Sequence, residues 1–106
     1  MESRYLVSCE NEILKCELAG KLDANDAQGL QTELKKYAGQ KIAKLVFFAK
    51  DLEYISSAGL RVIIFAKQKI GVDAQLFMIA AQEPILKVIK MSGLDNFMTI
   101  KDAYTE

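Results

Sequence analysis

Two apolar runs, Leu45-Val46-Phe47-Phe48-Ala49 and Gln75-Leu76-Phe77-Met78-Ile79-Ala80, constrain the fold more than anything else in the chain. Neither alternates between apolar and polar residues, which is the mark of strands covered on both faces. Between them, the stretch from Ala58 to about Lys69 sets Leu60, Ile63, Ile64 and Phe65 beside Arg61, Lys67 and Lys69. It is too long for a strand and long enough to carry the chain back across a sheet, so a crossover helix joins two parallel central strands. The loop Lys50 to Ser56 then falls at the carboxyl end of the first strand, where open α/β sheets meet ligands and partners.

The flanking segments fit around that unit. Tyr5-Leu6-Val7-Ser8-Cys9 and Ile13-Leu14-Lys15-Cys16-Glu17-Leu18 alternate, predicting an antiparallel hairpin with a two-residue turn at Asn11-Glu12. That register pairs Cys9 with Leu14, Val7 with Cys16 and Tyr5 with Leu18 on one face. The two cysteines become diagonal neighbours about 7–8 Å apart, an awkward disulfide separation, so they read as buried thiols. Asp23 is placed to cap a helix over roughly 24–38, with Ala27, Leu30 and Leu34 on one face, Lys35 and Lys36 in the last turn and Gly39 at its end. Gly29 costs that helix about 1 kcal/mol relative to alanine and hints at close packing. A third helix starts at Pro84, carries Ile85, Val88 and Ile89 as its apolar stripe and stops at Gly93. Met98-Thr99-Ile100 adds a short last strand, and Lys101 to Glu106 begins a terminal helix. The sum is one α/β domain over residues 1–106: a mixed sheet with an N-terminal antiparallel hairpin, parallel central strands and helices packed against it.

Charge and composition exclude several functions. Lys and Arg number 14, as do Asp and Glu, leaving no electrostatic footprint for a nucleic acid or an anionic membrane. The N-terminal residues are too polar for a signal peptide, and no apolar run approaches the roughly 18 residues of a membrane-inserted span, so the cytoplasm is the expected compartment. Histidine is absent, which removes Ser-His-Asp and Cys-His catalysis and the common zinc sites. With no glycine-rich phosphate loop either, the chain is expected to be neither an enzyme nor the holder of a cofactor or metal.

The chemistry-bearing segment is Asp51-Leu52-Glu53-Tyr54-Ile55-Ser56-Ser57-Ala58-Gly59-Leu60-Arg61. It puts hydroxyls where a helix begins, where free N–H groups and the macrodipole favour negative charge. Serine is also a preferred helix cap, so the pair has a purely local use as well. A phosphate added there changes the local charge by about −1.5 to −2 units. Arg61 lies one turn further along, able to engage a phosphate or a partner's carboxylate.

Tyr54-Ile55-Ser56-Ser57-Ala58-Gly59-Leu60-Arg61-Val62 resembles the signature of the STAS domains, the sulfate-transporter and anti-sigma-factor-antagonist family. Gly20-Lys21-Leu22-Asp23 upstream and Met91-Ser92-Gly93-Leu94-Asp95 downstream extend the likeness over nearly the whole chain. The resemblance implies a stand-alone antagonist acting by partner switching: the unmodified form binds an anti-sigma factor that is also a serine kinase, freeing the sigma factor, and phosphorylation breaks the complex. A phosphatase would restore it. The family's regulatory serine, two residues before the motif glycine, corresponds to Ser57. Ser56 stands where antagonists often carry aspartate, which makes it a second candidate acceptor. Asp23 and Asp51 resemble acidic positions around the phosphorylation site, and with Ser56, Ser57, Ala58, Gly59, Leu60 and Arg61 they form the expected partner-binding surface. Two other roles compete: a subunit binding the ATPase of a lipid ABC transport complex, and a module binding a nucleotide or other small ligand.

Overall fold

A computed structural model describes residues 4–104. The order is β1 (Arg4–Glu10), β2 (Ile13–Leu22), α1 (Ala24–Lys35), β3 (Lys44–Ile55), α2 (Ser57–Phe65) extended by a π turn (Ala66–Ile70), β4 (Gln75–Ile79), α3 (Glu83–Ser92), a 3-10 turn (Leu94–Phe97) and β5 (Thr99–Lys101). The five strands lie side by side in chain order. β1 is antiparallel to β2, and β2 through β5 are parallel.

The hairpin forms in the expected register, with Tyr5 opposite Leu18, Val7 opposite Cys16 and Cys9 opposite Leu14. Asn11 and Glu12 both take left-handed backbone, φ 53° and 65°, as a two-residue turn matched to strand twist requires. Both thiols are free. Burial pushes the Cys16 thiol up to about 12; Cys9, expected to be buried, is only half-buried because β1 is the sheet's edge.

Every helix buries its apolar stripe on one side of the sheet. Leu30 and Leu34 of α1, Val62 and Ile63 of α2 and Ile85 and Ile89 of α3 share a core with Leu14, Cys16, Leu45, Phe47 and Met78. On the opposite face Val46, Phe77 and Ile79 are buried with Phe48 and Tyr104 beside them. The Tyr104 ring meets Phe77 edge-on at 5.6 Å and Phe48 at 6.2 Å. The central strands therefore lack alternation because helices cover one face and the C-terminal tail partly covers the other.

Several expected boundaries move. α1 stops at Lys35, not near 38; the chain then tightens through i→i+3 bonds from Lys36, Tyr37 and Ala38, with Gly39 left-handed at φ 89°. Gly29 does mark a close approach, since a Cβ there would collide with the Tyr5 hydroxyl. The expected loop from Lys50 to Ser56 does not exist: β3 runs on to Ile55, and Ser56 alone separates it from α2. Its register slips twice against β2, between Glu17 and Ala19 and between Gly20 and Lys21, each slip placing an extra residue on β3. β4 ends at Ile79, and Ala80 turns left-handed, φ 57°, donating its N–H to the Lys101 carbonyl at 2.8 Å. The helix expected from Lys101 is absent: Lys101 belongs to β5 and residues 102–104 are non-helical, because Tyr104 folds onto the sheet. Thr105 and Glu106 lie outside the described residues, as do Met1, Glu2 and Ser3.

Candidate functional site: the start of helix α2

β2 and β3 end together, with Leu22 opposite Ile55, and the chain passes from that shared end into α2. Ser56 stays extended, φ −83° and ψ 170°, and caps the helix: its Oγ accepts the Gly59 N–H at 3.1 Å. The same hydroxyl donates to the Leu22 carbonyl at 2.9 Å, and the Ser56 backbone N–H reaches that carbonyl at 2.9 Å. The Gly-Lys-Leu-Asp and Ser-Ser-Ala-Gly motifs thus meet through one backbone oxygen.

Gly59 allows the meeting. A Cβ at this position would lie 2.7 Å from Ile55 Cγ1 and 3.0 Å from Leu22 Cδ2, distances that force neighbouring side chains to move. Gly59, expected on the partner-facing surface, is instead buried and works by letting the helix press against the two strand ends.

Ser57 is the first residue of α2 and is exposed. Among the described residues its hydroxyl has no hydrogen-bond partner, whereas the Ser56 hydroxyl both gives and receives one. No acidic residue stands in the first turn of α2, so its N–H groups and dipole face an added anion without a local like charge on the helix.

The other expected residues divide. Asp23 follows Leu22 directly and caps α1, Oδ1 accepting the Asp26 N–H at 3.0 Å; that bond holds its carboxyl below the usual range. Asp23 is therefore at the same end of the sheet as Ser57. Asp51 is not: it sits opposite Ala19, roughly 10–13 Å of strand back from the Leu22–Ile55 end. There it joins Glu17 and Asp26 around an open recess of about 570 Å³ with Tyr5 and Ala19. The two bulges in β3 disguised this displacement, because a residue five places before a motif reads as near it when the intervening chain is taken for a loop. Ala58 and Leu60 are half-buried, and Arg61 is exposed on the side of α2 that faces α1. The third motif lies elsewhere in the fold: Gly93, φ 80°, closes α3, and Leu94 is buried beyond it. Its signal was structural.

The chain's likeness to known proteins is specific. The STAS domain profile matches residues 6–106. The anti-sigma-F factor antagonist RsfB of Mycobacterium tuberculosis is 24% identical over 103 residues, covering 93% of this chain and 84% of RsfB. An anti-sigma factor antagonist from Mycobacterium paratuberculosis superposes with a TM-score of 0.82 at 19% identity, covering 96% of this chain and 87% of its own. The phosphorylated form of the Bacillus cell-fate determinant SpoIIAA superposes with a TM-score of 0.74 at 17% identity, covering 97% and 93%. No helix among the described residues is long and apolar enough to cross a membrane.

Proposed function

The chain belongs to the STAS domain family, and on that premise we propose that it is an anti-sigma factor antagonist switched by phosphorylation of Ser57. Unmodified, it binds an anti-sigma factor in the cytoplasm and thereby frees a sigma factor; the anti-sigma factor is itself the serine kinase that ends the complex, and a phosphatase resets the protein. It acts by binding, not catalysis. The observation carrying this reading is the division of labour between adjacent serines: Ser56 is held on both its donor and acceptor sides, while the Ser57 hydroxyl is exposed and unengaged. Ser57 is accordingly the acceptor, and Ser56, the second candidate, is the cap.

The physical basis of release is electrostatic. A dianion at the centre of an interface must be desolvated, and it sits beside Asp23 and whatever acids the partner presents. At about 1.4 kcal/mol per tenfold change in affinity, a few kcal/mol toggles the complex. The start of α2 accepts the charge, so the fold survives while binding does not. Intact-mass measurement after incubation with ATP and the anti-sigma kinase should register one phosphate, lost in Ser57→Ala and retained in Ser56→Ala. A full mass shift in Ser57→Ala overturns the assignment.

A further inference from the structure

Charge is distributed unevenly about Ser57. Asp23 caps α1 at the same end of the sheet, and Asp26, Asp51 and Glu17 gather around the recess further back along the strands. On the helix side, a groove of about 330 Å³ between α1 and α2 is lined by Gln28, Gln31, Thr32, Lys35, Ala58 and Arg61, among others, and by no carboxylate. The only ionisable side chains among those lining residues are the cations Lys35 and Arg61. Lys35 and Arg61 are exposed, and the side-chain amides of Gln28 and Gln31 make no hydrogen bond among the described residues. Lys35 reaches across to α2 with its ammonium 6.0 Å from the Phe65 ring, tying the end of α1 to α2. Ala58, the neighbour of Ser57, forms one wall, so the groove begins where the acceptor serine stands.

We infer that the α1–α2 groove is a docking surface for an acidic segment of the anti-sigma factor, with Lys35 and Arg61 engaging its carboxylates and Gln28 and Gln31 supplying neutral donors. This rests on the antagonist reading and deepens it. The net charge of the whole chain is zero, so attraction depends on keeping the two signs apart, and a partner carrying acid toward the helices docks in one orientation only. The groove also gives phosphorylation a second way to act. Arg61 lies four residues after Ser57 on the same helix, the spacing at which a helical ion pair forms. A phosphate on Ser57 therefore competes for Arg61 with the partner's carboxylate and discharges the groove from within.

The test is calorimetric titration of the anti-sigma factor into the full-length wild type, Lys35→Glu/Arg61→Glu, Gln31→Lys and Lys90→Glu, the last being a charge reversal on α3 away from the groove. The double variant should bind at least tenfold more weakly and with less dependence on salt; Gln31→Lys should bind more tightly; Lys90→Glu should match the wild type. Thermal melts identify a folding defect in the double variant, in which case the opposite response of Gln31→Lys decides. A wild-type complex indifferent to both groove variants overturns the groove assignment and leaves partner switching standing. A wild type that does not bind the anti-sigma factor overturns the antagonist reading itself.

Discussion

The two ends of the α2 crossover are tied down in opposite ways. A helix leaves backbone donors unsatisfied at its start and acceptors unsatisfied at its finish. At the start, one neutral hydroxyl, Ser56, supplies the acceptor and is itself fixed to β2 through Leu22. At the finish, the helix widens into a π turn, Gly71 donating to the Ala66 carbonyl at 2.8 Å, and the Lys67 ammonium gathers the carbonyls of Val72 at 2.7 Å, Ala74 at 2.8 Å and Gly71 at 3.4 Å. That end is fixed by a charge bonded to the backbone of the loop that follows the helix. The upper end is closed by Ser56 so that Ser57, one residue on, is left open. A hydroxyl at a helix start stays open when the capping falls to its neighbour.

Substitutions can break this contrast in order of expected effect. Gly59→Val strikes the contact that seats the upper end, driving a branched side chain into Ile55 and Leu22, and should cost about 2–3 kcal/mol. Thermal denaturation checks it, at roughly 4–8 °C per kcal/mol for a domain of this size; an unchanged midpoint would mean that the close approach is not needed. Lys67→Met keeps much of the side chain's length while removing the charged donor from three carbonyls, and should cost about 1–2 kcal/mol. Its value lies in what it spares: phosphate uptake at Ser57 should be unaffected, and a drop in uptake at a temperature where the variant is folded would show the two ends to be coupled. Ser56→Ala removes the cap for about 1 kcal/mol. Urea unfolding should resolve that loss, and a loss no larger than that of Ser57→Ala would erase the distinction between the two serines.

Much of this architecture was legible because its signals are local and periodic. Alternation with a two-residue turn at Asn11-Glu12 placed Val7 opposite Cys16, and Pro84 with Gly93 bounded α3. What escaped was set by contacts between segments distant in sequence. Glu53 and its neighbours gave no strand signal, because the two slips against β2 replace the period of two with Ala49, Leu52 and Ile55 facing inward at intervals of three. Tyr104 reads as part of a terminal helix until the side of Phe48 and Phe77 away from the helices is there to receive it. At the candidate site, a serine pair at a helix start was evident, yet which hydroxyl is free depends on the Leu22 carbonyl, contributed by a residue 34 positions earlier. The Lys35–Arg61 groove likewise forms only once α1 lies against α2.

The Leu22 carbonyl has a consequence for information. Two neighbouring serines would ordinarily allow four covalent states, two of them singly marked and hard for a reader to tell apart. In the proposed switch, the bond from the Ser56 hydroxyl to this oxygen takes one serine out of competition and reduces the alphabet to marked and unmarked. Under that proposal a graded stimulus would be recorded as the number of molecules carrying the mark, never as how heavily any one of them is marked.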